Sequence, residues 1–388
     1  MKGNINGKRK KAKDISGERF KKTNNDEIQS YLKSSVPKNT RKMNNWGTNI
    51  WRDWAKWRNG SENNDLGSIP EMRACTPEEL GKFLVYFIIE VTASNGNPYS
   101  VESLYRLACA IKREYNDWTL DGVERESVDI FNKSDMRFSR FNVVMDSKID
   151  RDRTERGVLP TKQASLITDE DEDQLWDSGV INLTSGCGLA NGAYFYNNLN
   201  FGLRAVDEHH NLTREQMKIV TNNDGQIEKI VYAGLLNKQF QGGRRTLKQK
   251  PKSCTFYAQP TNPRCPGKII KAYMDMLERD CPEDNAYYKR PKIDNKPGLT
   301  KQNLGQATLR KIMKKMFVDA KINIEGRNIS GHSGKATMIT RMLEGGVNDG
   351  IIKARSGNSS NSIDAYKRPS EQTMRAASDA TVAKTRKV

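Results

Sequence analysis

Residues 189–232 read LANGAYFYNNLNFGLRAVDEHHNLTREQMKIVTNNDGQIEKIVY, and the succession of patterns in this stretch decides the fold class. Leu189 to Leu203 is a largely apolar helix. Met217 to Thr221 and Glu228 to Tyr232 are short β-prone runs, and Asn222-Asn223-Asp224-Gly225 between them supplies the residue types that tolerate the left-handed backbone of a hairpin turn. Upstream, Asp169-Glu170-Asp171-Glu172-Asp173 precedes Gln174-Leu175-Trp176, an acidic start that suits the positive end of a helix dipole. Downstream the helical period returns in Ile269, Tyr273, Met276 and Leu277 after Pro266, then in Leu304 to Phe317 and Lys335 to Leu343. The expectation is an α+β domain over residues 165–370, helices around a small antiparallel sheet.

The N-terminal half has a different pattern. Trp46, Ile50, Trp54 and Trp57 recur at spacings of four, four and three, with Arg52, Lys56 and Arg58 elsewhere on the same helix. Leu80, Leu84, Phe87 and Val91 mark a second helix. Leu104, Leu107, Ile111 and Tyr115 mark a third, capped by Ser100, and Phe138, Phe141 and Met145 a fourth, flanked by Arg137 and Arg140. Four helices with few strand signals predict a small all-α domain over residues 44–150. The charged stretch Ser147 to Gly157, ending before Leu159-Pro160, predicts a break, with the linker at residues 151–164. Residues 1–43 are Lys- and Asn-rich and poor in large apolar groups, so they are expected to be a disordered basic arm, and residues 371–388 a basic tail.

Of 388 residues, 65 are Lys or Arg and 47 Asp or Glu, a formal charge of +18, and thirteen of these excess charges lie within residues 1–43 and 367–388. The apolar run from Leu80 to Ala93 is interrupted by Gly81, Lys82 and Glu90, so no membrane partner is expected. The N-terminus carries Lys8-Arg9-Lys10-Lys11-Ala12-Lys13 and no apolar segment, which predicts an intracellular chain and is compatible with nuclear import or with a solvated basic tail. Cys75, Cys109, Cys187, Cys254, Cys265 and Cys281 form no C-x-x-C pair, and with only His209, His210 and His332 beside them a zinc site is not expected. Phosphate-loop, dinucleotide, nucleophile-elbow and zinc-protease motifs are absent, so no cofactor or metal is expected and nucleotide hydrolysis and zinc proteolysis are disfavoured.

Four segments carry chemistry: Phe201-Gly202-Leu203-Arg204-Ala205-Val206-Asp207-Glu208-His209, Lys238-Gln239-Phe240-Gln241-Gly242-Gly243, Gly331-His332-Ser333-Gly334-Lys335, and Arg355-Ser356-Gly357-Asn358 leading to Tyr366-Lys367-Arg368-Pro369. In this order they resemble the tyrosine recombinase, or phage integrase, catalytic domain, with the nearest look to Crypton-type recombinases and to their domesticated descendants in animal zinc finger MYM-type and glutamine-rich proteins. The acidic run before Trp176 and Asn262-Pro263-Arg264-Cys265-Pro266 are similar to that subfamily in detail.

The resemblance implies a transesterification in which a tyrosine hydroxyl attacks a DNA phosphodiester, leaving a 3'-phosphotyrosyl bond, without metal or ATP. Tyr366 matches the nucleophile. Arg204 matches the first family arginine, a guanidinium able to hold two phosphate oxygens. Lys238 matches the hairpin lysine that protonates the leaving oxygen, although Arg244, Arg245, Lys248, Lys250 and Lys252 crowd the same region and any of them could reach a phosphate. His332 and Lys335 match the family's His-x-x-Arg pair, with Ser330 as N-cap. Two positions depart from the pattern: Lys335 keeps the charge but not the bidentate fork, and Asn358 stands where the family has His or Trp.

Double-stranded DNA is therefore the expected partner, contacted by Arg52, Lys56 and Arg106 from the helical domain and by Arg244, Arg245 and Lys248, with a dimer or tetramer assembled on it in the nucleus. Two readings stay open: a strand-exchange enzyme of a Crypton-like mobile element, or a domesticated DNA-binding module with weakened chemistry.

Overall fold

A computed structural model of the chain describes residues 21–62, 64–117, 126–156, 163–204, 206–234, 251–292, 297–357, 364, 369 and 371–382. The chain divides into two compact units, residues 1–159 and 160–388. Among the described residues no helix is long and apolar enough to cross a membrane.

Among the described residues the regular elements of the first unit are helices. Helix α1, Asn25–Ser35, lies within the stretch expected to be disordered, and α2, Lys38–Asn59, also begins inside it. Local helix signals offset the shortage of apolar groups there: Asn24 caps α1 by accepting from Glu27 N at 2.8 Å, and Asp26 and Glu27 sit at the positive end of its dipole. In α2 the buried stripe is Asn44, Gly47, Trp51, Trp54 and Ala55, offset from the expected one. Trp51 is 1% exposed and Trp57 61%. Several tryptophans within three turns support two overlapping helical stripes, and the one containing Gly47 wins because that face meets a neighbouring helix.

Helix α3, Pro77–Glu90, starts at a reciprocal capping box of Thr76 and Glu79. Helix α4, Val101–Tyr115, buries Leu104, Leu107, Ile111 and Tyr115 behind the Ser100 cap. Helix α5 runs Met136–Arg156, so most of the expected break at Ser147 to Gly157 is helical; its charged side chains are those of a solvated helix face. Trp51 and Trp54 meet Phe87 with ring centroids 5.2 and 5.3 Å apart, and Glu90 accepts from Trp54 Nε1 at 2.7 Å and Arg58 Nη2 at 2.9 Å.

The second unit is mostly helical with small antiparallel sheets. Helix α6, Asp169–Asp177, is followed by α7, Gly186–Phe201, which is buried on nearly every side, and by the short α8, Asp207–His210. Strands β1, Met217–Thr221, β2, Ile227–Ala233, and β3, Ser253–Tyr257, pair in that order, all antiparallel, with the expected turn between β1 and β2. Helix α9, Pro266–Asp280, leads to the hairpin of β4, Lys289–Pro291, and β5, Leu299–Asn303, which the sequence did not signal. Helices α10, Gln306–Asp319, α11, Gly331–Glu344, α12, Asp349–Ser356, and α13, Glu371–Thr381, follow.

The acidic start of α6 does more than face its own dipole. Asp171 pairs with Arg327, Asp173 and Asp177 with Arg264 at 2.8 and 2.5 Å, and Asp169 and Glu172 with Arg341 at 2.5 and 3.0 Å. Tyr196 of α7 joins the network, accepting from Trp176 Nε1 at 2.8 Å and donating to Glu172 at 2.9 Å.

Close helix crossings fall on glycines. A Cβ at Gly47 would lie 2.7 Å from Ala110 Cβ of α4, and at Gly81 2.1 Å from the Arg137 carbonyl oxygen of α5. At Gly192 it would lie 2.7 Å from Ile269 of α9, and at Gly334 2.6 Å from Asn198 Cβ of α7. Backbone cannot yield as a flexible side chain can, so Gly81→Ala should lower stability by about 1–3 kcal/mol. Gly60→Ala, at a helix end with a φ open to any residue, should change it by less than about 1 kcal/mol. Urea midpoints of the two variants check this.

Candidate phosphate-binding site

The site forms where α7 and α12 end. Gly202 terminates α7 in the left-handed region (φ 52°), and Gly357 does the same for α12 (φ 67°). The last carbonyls of each helix have no partner within the helix and carry the negative end of its dipole. Here cations meet them. Lys252, at the start of β3, donates to the carbonyls of Phe201 and, at 3.0 Å, Gly202. Arg355 of α12 donates through Nε to Asn200 O at 3.1 Å, and Arg204, just past α7, donates to Gly357 O at 3.4 Å. Lys335 of α11 donates to Ser356 O at 2.7 Å.

Arg204 is held from the other side by Glu208, whose carboxylate accepts from the Arg204 backbone N–H at 2.9 Å and lies 3.7 Å from its guanidinium. Its side chain remains a quarter exposed. Between them Val206 takes φ 71°, a sterically costly backbone for a β-branched residue.

On α11 the Ser330 hydroxyl caps the helix, accepting from the His332 backbone N–H at 3.3 Å, and Ser333 returns the bond to Ser330 N at 3.1 Å. Gly334, whose Cβ would strike α7, lets this turn approach the end of that helix. His332 is on the exposed side of the turn and Lys335 on the buried side. Desolvation, then the charges of Lys335 and Arg204, push the His332 pKa down, so its imidazole is biased towards the neutral form. Burial, then the charges of Lys252 and Arg204, bring Lys335 down to about 7. His209 is wholly buried, its Nδ1 2.8 Å from Tyr288 OH, and burial followed by the Lys252 charge lowers it to about 3. It is a neutral core residue.

The structure thus brings Arg204, His332 and Lys335 together and adds Lys252 and Arg355. Lys238, Arg244, Arg245, Lys248, Asn358 and Tyr366 lie outside the described residues. Arg52, Lys56 and Arg106 belong to the first unit. Arg52 lies 3.5 Å from Glu71, Arg106 pairs with Glu102 at 2.5 Å, and Lys56 is exposed on α2. Lys252 appeared in the sequence only as one basic residue of a crowded loop. Among the described residues no three His, Cys, Asp or Glu side chains cluster as a metal site requires. Cations resting on carbonyls, with Glu208 as the nearby carboxylate among the described residues, can exchange those carbonyls for the oxygens of an anionic phosphate.

Residues 166–318 match the family described as a domain of unknown function, DUF3504, and residues 42–151 match the QRICH1 domain. The chain is similar to zinc finger MYM-type protein 3 of Mus musculus, 25% identical over 284 residues, covering 66% of this chain and 20% of the relative. It is similar also to zinc finger MYM-type protein 2 of Homo sapiens, 24% identical over 302 residues, covering 70% and 21%. The chain therefore spans about a fifth of the length of these relatives. Among solved structures it resembles the Tn1549 transposon integrase in complex with circular intermediate DNA, with a TM-score of 0.41, 12% identity, and 86% and 98% of the two chains covered. It also resembles XerA recombinase, with a TM-score of 0.38, 14% identity, and 93% and 98% covered.

A lysine of lowered pKa has a signed consequence for stability. The unfolded chain holds the Lys335 proton to its ordinary value of 10.5, the folded chain only to about 7, so the penalty is fully present below 7 and is relieved as pH rises towards 10.5. Lys335→Met should therefore raise the melting temperature more at about pH 6 than at about pH 9.5. Thermal melts of both proteins at the two pH values measure the difference.

Proposed function

We propose that this chain binds duplex DNA through its phosphates and acts as a DNA strand transferase of the tyrosine recombinase type, in recombination or integration. The observation that carries the reading is the meeting of Arg204, His332 and Lys335, three residues from the matching motifs, at one cationic corner built by two helix ends. Arg204 would hold a non-bridging phosphate oxygen, and Lys335 would add charge where the pentavalent phosphate develops it. His332, biased neutral, would donate or accept a hydrogen bond there. By resemblance, Tyr366 is the nucleophile, Lys238 the acid for the leaving oxygen, and Asn358 a hydrogen-bond donor to the phosphate. Assembly as a dimer or tetramer on DNA, origin in a Crypton-like element and residence in the nucleus belong to the same proposal.

Lys335 favours a second reading. Its ammonium rests on Ser356 O instead of presenting a two-pronged fork, and it can lose its charge near neutrality. A module that binds DNA with little or no cleavage fits that chemistry, and the likeness to MYM-type zinc finger proteins fits a domesticated role.

Nicked suicide duplexes decide between the two. Covalent adducts that Tyr366→Phe abolishes establish the enzyme. Duplex binding without adduct, even after Lys335→Arg and Asn358→His restore the family pattern, establishes the binding module. In either case phosphate-directed affinity should fall by orders of magnitude between about 50 and 200 mM salt, and a flat salt profile contradicts both.

A further inference from the structure

Three glycines shape the slot that holds Lys252. A Cβ on Gly357 would come within 3.0 Å of Lys252 Cδ, one on Gly234 within 3.5 Å of its Cβ, and one on Gly202 within 3.7 Å of its Nζ. The Tyr232 ring lies alongside, its centroid 5.9 Å from the ammonium. Inside this slot the side chain is all but removed from water (7% exposed), and its Nζ meets the Phe201 and Gly202 carbonyls but no carboxylate among the described residues. A cation enclosed in this way forfeits hydration that carbonyls replace only in part. A helix end can be capped without burying a charge, so the charge itself needs a role.

Its position gives one. Lys252 secures the last turn of α7 two residues before Arg204, and the same slot is closed by Gly357, whose carbonyl Arg204 meets. We propose that Lys252 is a positioning residue of the phosphate site: it aims Arg204 by holding the end of α7, and its buried ammonium, set against Gly357 next to the Ser356 carbonyl that Lys335 meets, makes Lys335 take up a proton when an anion enters. The proposal rests on the phosphate-site reading above.

The charged and titratable groups that face Lys335 can be named from each side. His332 lies one turn earlier on α11, Arg204 and Glu208 follow α7, and Lys252 and Cys254 come from the start of β3, with Arg355 of α12 beside those two. Of the charges acting on Lys335, that of Lys252 comes first, and burial holds Lys252 below the ordinary lysine value as well. With Lys335 brought to about 7, part of the population is neutral at physiological pH. An arriving phosphodiester favours the ammonium, so the amine gains one proton from solvent and no bond other than that N–H forms. A guanidinium at this position would remain charged throughout and show no such uptake.

The test is calorimetric titration of the full chain with a short duplex, in buffers of different ionisation enthalpy, so that protons taken up on binding are counted. Wild type should take up a fraction of a proton near neutral pH, and its affinity should fall several-fold between about pH 7 and about pH 9. Lys335→Arg should remove the lysine's share, leaving only what His332 supplies. Lys252→Met, which keeps the chain length and removes the charge, should bind with reduced uptake because Lys335 is already protonated. Duplex binding with the same uptake in wild type and Lys252→Met, or with none in wild type, overturns the proposal while leaving the site reading intact. No duplex binding by wild type at any pH overturns both. Should Lys252→Met fail to fold, the Lys335 side chain of the wild-type protein, labelled at Cε and assigned by loss of its signal in Lys335→Arg, can be titrated by NMR. A midpoint near 7 supports the proposal, and one near the ordinary lysine value overturns it.

Discussion

Two helices of the second unit end at the same place, and neither end could be there alone. The C-terminal carbonyls of α7 and α12 would repel each other through their aligned dipoles if left bare, and the cations that cover them would be too costly to bury if left without carbonyls. The bonds run crosswise: Arg355 of α12 covers Asn200 of α7, while Arg204 beyond α7 covers Gly357 beyond α12. Lys252 and Lys335 tie β3 and α11 to the same junction. The positions of Arg204, Lys252, Lys335 and Arg355 follow from this exchange of charge for carbonyl.

The rest of the unit supports that junction. Helix α7 is buried on almost all sides, so its end cannot drift without moving the core, and the glycines at positions 192 and 334 set how closely α9 and α11 lie on it. The ion pairs of α6 reach Arg341, near the far end of α11, and Tyr196 within α7. Helix α11 is thereby held near its far end by charge pairs and near its start by the junction, and α7 is held within its length by Tyr196 and at its end by the junction.

Much of this was legible in the sequence, for physical reasons that differ by element. Periodicity identified α3, α4, α9 and α10 because each buries mainly one face against its core, and Asn222 to Gly225 identified the hairpin because few other residues accept that turn. Periodicity failed at α2, where tryptophans at positions 46, 51, 54 and 57 support two stripes and only packing at Gly47 selects one. It failed at α1 and the second half of α5, whose charged surfaces resemble a linker to any reading that weighs hydrophobicity above capping. In the site, Arg204, His332 and Lys335 were found through motif order. Lys252 was not, because burying a lysine depends on the distant glycines 202, 234 and 357, and no local pattern connects them.

The wiring of α6 bears on how the chain is made. Asp171 finds Arg327 across 156 residues, and Asp169 finds Arg341 across 172. A helix emerging from the ribosome at this point carries six carboxylates, and the three arginines that pair with five of them are not yet synthesised. Loop-closure entropy must be met before those pairs contribute anything, so α6 is secured late, only after α11 has been translated. The match to DUF3504 stops at residue 318, short of both arginines, of His332 and of Lys335. A fragment cut at that border would hold most of the core, but it would leave the buried Asp171 uncompensated and half of the cationic junction missing. The unit that satisfies its own buried charges is therefore longer than the stretch that matches this family, and its C-terminal border is drawn by electrostatics.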